Sequence, residues 1–277
     1  MRARLLVVAV LVAACSLTAA PLRAESPFAG VIRLLESGKV PEERQGNIID
    51  VLTSQGTAED LDYVLERCVG EKPLADPLRK QALNGLEQAF LTRKVQPAGD
   101  LSRLRVLLAE GVEPSLRREA VELAGVWRVE ALSADLAALA TAEGTPAALR
   151  KQVIDSLATL GGPASREAIL KLTAAEQPAE IRGLAVAALA EFDPQTAAPL
   201  AAEILASVSR AGEADVVLDA FLNKKGADAI LAAQLSEKPL SEDAAKLAIR
   251  YLYSVGRTEN ALAPGPREAT RVNAEAG

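Results

Sequence analysis

Apolar positions along this chain return in a fixed order. From Leu149 they run Leu149, Val153, Leu157 and Leu160, with Ile154 alongside, while Arg150, Lys151 and Asp155 lie off that stripe. The spacing predicts an amphipathic helix. Gly161-Gly162 then ends it and Pro163 starts the next. The head of the stripe carries a phrase: Pro, a short gap, Leu or Ile, Arg, and a small or apolar residue three positions on. It stands at Pro77-Leu78-Arg79 with Ala82, Pro114-Ser115-Leu116-Arg117 with Ala120, Pro146 to Arg150 with Val153, and Pro178 to Arg182 with Ala185. The four arginines are 38, 33 and 32 residues apart, the period of a stacked-repeat architecture. Proline at the first helical position is pre-set in φ, and Asp76 and Thr145 just before it are the expected N-caps.

Shorter partner helices are expected between the phrases, over 101–109, 132–141, 164–174 and 196–208, so that each unit is a helix–turn–helix hairpin. Weaker copies extend the series. Arg44 with Ile48 and Leu52 precedes the first phrase, and Asp215 with Leu218 and Leu222 follows the last, then Ala245 with Ala248 and Leu252. The last two have lost the arginine and kept the apolar spacing. About seven units are expected in a repeat domain over residues 25–256. Residues 257–277, with Pro264-Gly265-Pro266, have no apolar stripe and read as a disordered tail.

Composition fits this picture. The chain is 49% hydrophobic but 3% aromatic, so Ala, Leu, Val and Ile carry the burial, which suits close helix packing in an all-α protein. The formal charge is −6, and a chain this acidic disfavours a nucleic-acid partner. Histidine is absent, which removes the usual general base and the commonest zinc and haem ligand. No glycine-rich phosphate loop, zinc spacing, calcium loop or nucleophile elbow occurs.

Residues 1–24 read as an export signal, with basic Met1-Arg2-Ala3-Arg4, an apolar run from Leu5 to Ala14, and small residues after it. That run is about half the ~20 residues a membrane span needs. Two processing routes fit. Leu22-Arg23-Ala24 before Glu25 resembles a signal peptidase I site, and Leu11 to Cys15 resembles a lipobox that would acylate Cys15. No other segment is apolar and long enough to span a bilayer, so the mature chain is expected in the periplasm or cell envelope, either free or anchored through Cys15.

The family narrows by what is missing. The Trp-Leu-Gly-Tyr pattern of tetratricopeptide repeats and the Thr-Pro-Leu-His of ankyrin repeats are both absent. The Pro…Leu-Arg…Ala…Leu phrase resembles HEAT repeats of the short, phycobilin-lyase type. Leu34 to Val40 followed by Gln55 to Leu61, and Thr92 to Val95 with Pro97 to Leu101, resemble the HEAT segment of secreted planctomycete-type proteins. Those proteins join a dehydrogenase-like propeller to a c-type cytochrome. The resemblance implies a right-handed α-solenoid of about seven HEAT-like helix pairs. It implies no cofactor here, because the chain has no propeller and no Cys-x-x-Cys-His.

The expected function is a non-enzymatic scaffold that binds a partner protein, with a cytochrome or dehydrogenase-like envelope protein as the family's candidate. The alternatives are an accessory subunit of such a redox complex, a truncated relative without independent activity, or an enzyme of the phycobilin-lyase type. Arg79, Arg117, Arg150 and Arg182 would form a ladder that either grips an acidic partner or caps and bridges neighbouring repeats. Trp127 is an interaction anchor or a plug between repeats. Cys68 reads as a buried hydrophobe rather than a nucleophile. The carboxylate pairs Glu42-Glu43, Asp60-Asp62 and Glu242-Asp243 read as helix-start acids. Tyr251 and Tyr253, with Leu252 and Val255, make the C-terminal unit the expected docking end.

Overall fold

The structure, a computed structural model, describes residues 26–210, 212–257 and Leu262. The export signal expected at 1–24, Cys15 within it, and most of the tail expected at 257–277 lie outside the described residues. Among the described residues the chain is all-helical, with no strand. None of these helices is long and apolar enough to cross a membrane.

The phrases and their weaker copies lie on one row of helices. These are α2 (Glu42–Gln55), α4 (Asp76–Arg93), α6 (Pro114–Val126), α8 (Ala147–Leu160), α10 (Ala179–Phe192), α12 (Asp215–Asn223) and α14 (Glu242–Ser254). Each packs against the next along the row. A short α1 (Ala29–Glu36) precedes them. The connecting helices form a second row: α3 (Ala58–Val69), α5 (Arg105–Leu108), α7 (Ser133–Thr141), α9 (Gly162–Leu172), α11 (Pro194–Ser207) and α13 (Ala227–Glu237). Short 3-10 turns at Leu101–Leu104 and Glu130–Leu132 lead into α5 and α7.

One continuous apolar core runs between the rows from Ile49 to Ala248. Leucines without exposed surface fill its N-terminal part, among them Leu52, Leu61, Leu83, Leu86, Leu116 and Leu132. Each buried side chain of this size stabilises the fold by roughly 1.5–3 kcal/mol. Neither row could bury its stripe alone, so packing between neighbouring units supplies the cohesion.

Helix starts depart from the sequence reading. Asp76 is the first residue of α4 and not its cap, and Pro77 is the second. Thr145 does not cap α8. Its hydroxyl donates to the Leu139 carbonyl at 2.7 Å, and Pro146 occupies the cap position. Pro178 likewise stands at the cap of α10. Glu113, which the sequence reading passed over, is the capping side chain of α6, accepting from the Ser115 and Leu116 N–H groups. A carboxylate one methylene longer than Asp can fold back over the same turn, and it gains from the helix dipole.

The turn between α8 and α9 is the one the sequence pointed to. Gly161 and Gly162 both take left-handed φ, +69° and +76°, where a Cβ would be strained. At the end of α14, Gly256 at φ +70° lets the Arg257 N–H donate to the Leu252 carbonyl at 2.9 Å. This 6→1 bond closes the helix. Leu262, inside the segment expected to be a tail, is half-buried against the core.

Candidate binding surface

The four phrase arginines share one geometry. Arg79 Nε donates to the Cys68 carbonyl at 2.9 Å, at the end of α3. Arg117 Nη2 donates to the Ala109 carbonyl, just past α5. Arg150 Nε donates to Ala140 at 2.9 Å, at the end of α7, and Arg182 Nε donates to Thr173 at 3.3 Å, just past α9. A helix leaves its last carbonyls without intrahelical partners and carries negative charge there. Each guanidinium therefore satisfies the end of the second-row helix before it. Only Arg150 also reaches a carboxylate on the next unit, Glu180 at 3.3 Å. The four side chains point between helices, and the structure places them in joints rather than on an open face.

A second set of ties went unread in the sequence. Gln81 Nε2 donates to the Gly46 carbonyl and to Asp50 Oδ1, at 3.3 and 2.7 Å, linking α4 to α2. Gln152 Nε2 donates to the Arg118 carbonyl and Glu122 Oε2, at 3.2 and 2.9 Å, linking α8 to α6. Both glutamines stand two positions after a phrase arginine, and that shared offset was the available signal. The second row has its own ties. Arg103 pairs with Asp62 and Glu66, Arg105 with Asp135, and Arg166 with Asp193.

At the equivalent position on α10 stands Leu184, and the surface opens there. Two adjoining hollows of about 510 and 650 Å³ share Lys151 of α8, Leu184 of α10 and Val216 of α12. Their floor is small and apolar, with Ala179, Gly183 and Ala187 on α10 and Ala147 and Ala148 on α8. Val216, a large aliphatic side chain, is 38% exposed beside them. Lys151 holds Asp155 at 2.6 Å across one turn. This groove along α10 is the candidate binding surface.

The remaining sequence candidates are placed as follows. Tyr251 is half-buried and donates to Asp219 Oδ1 on α12 at 2.6 Å, so it ties α14 to its neighbour. Tyr253 is 51% exposed and Val255 42% exposed. The two tyrosines thus lie in different environments. Trp127 is buried at the end of α6, where its carbonyl accepts from Gln96. Cys68 has no exposed surface, and burial pushes its thiol up to about 12 despite Arg79 and Arg67 nearby.

The carboxylate pairs are split by the fold. Asp60 closes a capping box with Thr57 at the start of α3, while Asp62 faces Arg103. Glu42-Glu43 and Glu242-Asp243 lie in the first turns of α2 and α14. Comparison with family models, curated proteins and solved structures returns no match to this chain.

Proposed function

We propose that this chain is a non-enzymatic binding scaffold, a right-handed α-solenoid of about seven HEAT-like helix pairs that presents a continuous surface to a partner protein in the cell envelope. The observation that carries this reading is the repeated arginine joint. It sets successive units in the same register, and a stack held in register offers a long surface that one compact core could not. Cys68 is committed to the core and Asp60 to a helix cap. Its candidate partner class is an envelope cytochrome or dehydrogenase-like protein, which rests on the family resemblance of the sequence.

Capture from a native envelope fraction with the purified chain tests the reading. Mass spectrometry of the eluate, with an absorbance scan for haem, is expected to give one stoichiometric partner. An eluate without a stoichiometric protein overturns the scaffold, and haem in it selects the redox-complex version.

A further inference from the structure

We propose that the groove along α10 binds an extended segment of a partner protein in which apolar residues alternate with lysine or arginine. This deepens the scaffold reading and rests on it.

Gly183 is the first support. Four glycines sit inside the phrase-bearing row. A Cβ on Gly46 would lie 2.9 Å from Gln81, on Gly85 2.6 Å from Thr53, and on Gly125 3.1 Å from Ser156, so close approach accounts for those three. A Cβ on Gly183 would meet nothing within 4 Å, and its φ is not left-handed. A mid-helix glycine costs stability against alanine, and packing gives no reason for one here. What it does is lower the floor of the groove.

The shape and charge of the groove select its occupant. Hollows of 510 and 650 Å³ over small apolar residues take a few aliphatic side chains. The lining carries five carboxylates, Asp155, Glu180, Glu191, Glu213 and Asp219, against Lys151 and Lys224. Adding Arg150, which pairs with Glu180, still leaves two negative charges in excess. A strand directs alternate side chains to opposite sides, so an alternating segment can put its apolar residues into the floor, and the long stems of its cations can fold back to the rim carboxylates. A second copy of this chain, at −6, meets that rim with like charge.

The test uses the purified chain and three fluorescein-labelled peptides of about ten residues, alternating Leu with Lys, Leu with Glu, and Ser with Lys. The Leu–Lys peptide is expected to bind at least about tenfold tighter than either of the others, and added salt to weaken it. Gly183→Leu should cost about tenfold or more in that affinity. Gly183→Ala should weaken binding while raising Tm by about 2–4 °C, opposite signs that a purely structural glycine would not give. If Gly183→Leu fails to fold, the exposed rim variant Glu191→Lys replaces it and should weaken the Leu–Lys peptide.

Equal binding of the Leu–Glu peptide, or indifference to both the groove-filling and the rim variants, overturns the proposal. Tighter peptide binding after deletion of residues 263–277 also overturns it, by assigning the groove to the chain's own tail. A stoichiometric envelope partner still captured by Gly183→Leu would leave the scaffold standing and remove only this groove.

Discussion

From α2 to α8, polar side chains lock each unit to its predecessor, through Arg79, Arg117 and Arg150 at the helix ends and Gln81 and Gln152 along the row. From α10 onward the glutamine position holds Leu184, and the arginine survives once, as Arg182. Asp215 and Ala245 stand where the next two arginines would be. The cores differ in the same direction. Leucines dominate the first half, whereas α10 and α11 bury Ala185, Ala188, Ala190, Ala197, Ala198, Ala201 and Ala202. An alanine removes far less apolar surface from water than a leucine. The contrast teaches that aliphatic stripes suffice to continue the stack, while the polar joints set its register.

The largest expected effect would uncouple the halves. Phe221 is the biggest side chain buried without exposed surface, and it sits in α12 among the small residues of the second half. Phe221→Ala should cost about 3–5 kcal/mol. Because units in a stack hold mainly to their neighbours, that loss should unfold α12 to α14 in a separate, earlier step. Circular dichroism melts with limited proteolysis check this, the expected product being a resistant fragment spanning α2 to α11. A single transition shifted as a whole would show that the two halves fold as one unit.

Arg150→Ala comes next. It strips the Ala140 and Ala142 carbonyls of their donor and leaves Glu180 without its cation. Losing hydrogen bonds to a charged group here should cost about 2 kcal/mol in urea unfolding. Arg150→Lys should recover only part of it, since an ammonium cannot reach three acceptors with a planar fork. Full recovery by lysine would reduce the joint to simple charge at a helix end.

Much of this was legible in the chain itself, and the reason is physical. The repeat period, the hairpin units and the Gly161-Gly162 turn follow from local rules, apolar spacing and backbone freedom, that a sequence carries openly. The expected partner helices at 132–141 and 196–208 lie within two residues of α7 and α11. The arginines were visible as a series, but the carbonyls they reach were not, because backbone acceptors have no letter in the sequence. Thr145 and Asp76 failed as caps for a related reason. Pro146 took the cap position itself, and the Thr145 hydroxyl found an earlier carbonyl. The groove was invisible because it is made by side chains that are absent, and the bond from Tyr251 was invisible because only the neighbouring helix reveals Asp219.

A smaller effect would repair the contrast. Asp215 takes the place of an arginine, and burial with Asp219 close by pushes its carboxyl above the usual range. It puts an acid where the four phrase units carry an arginine facing helix-end carbonyls. Asp215→Arg should stabilise the C-terminal units by about 1 kcal/mol. Hydrogen exchange resolves it, with slower exchange expected in α12 to α14 and no change in α4 to α8. Unchanged protection there would mean that α11 ends too far away to be capped from this position.

The smallest effect belongs to the first half and concerns pH. Glu87 on α4 and Glu119 on α6 are both pushed above the ordinary 4.5, chiefly by burial, with Glu122 acting on each as a like charge. Lys80 and Arg118 pull Glu119 the other way without cancelling the burial. A carboxyl raised in the folded state binds its proton more tightly there than in the unfolded chain. The stability it contributes is therefore complete below 4.5 and is lost as pH rises through the raised value. Asp193, held down by Thr196 and Arg166, and Glu113, held down by the Ser115 and Leu116 donors, have the opposite sign and lose stability as pH falls through their depressed values. Tm should therefore rise from neutral pH toward 5 and fall in stronger acid. Glu119→Gln should flatten the rise, and Asp215→Asn should leave a residual slope from α4 and α6. A profile flat from neutral to pH 5 in the unaltered chain would show that the cluster is hydrated in solution. The first half would then owe its tighter joints to the arginines and glutamines alone.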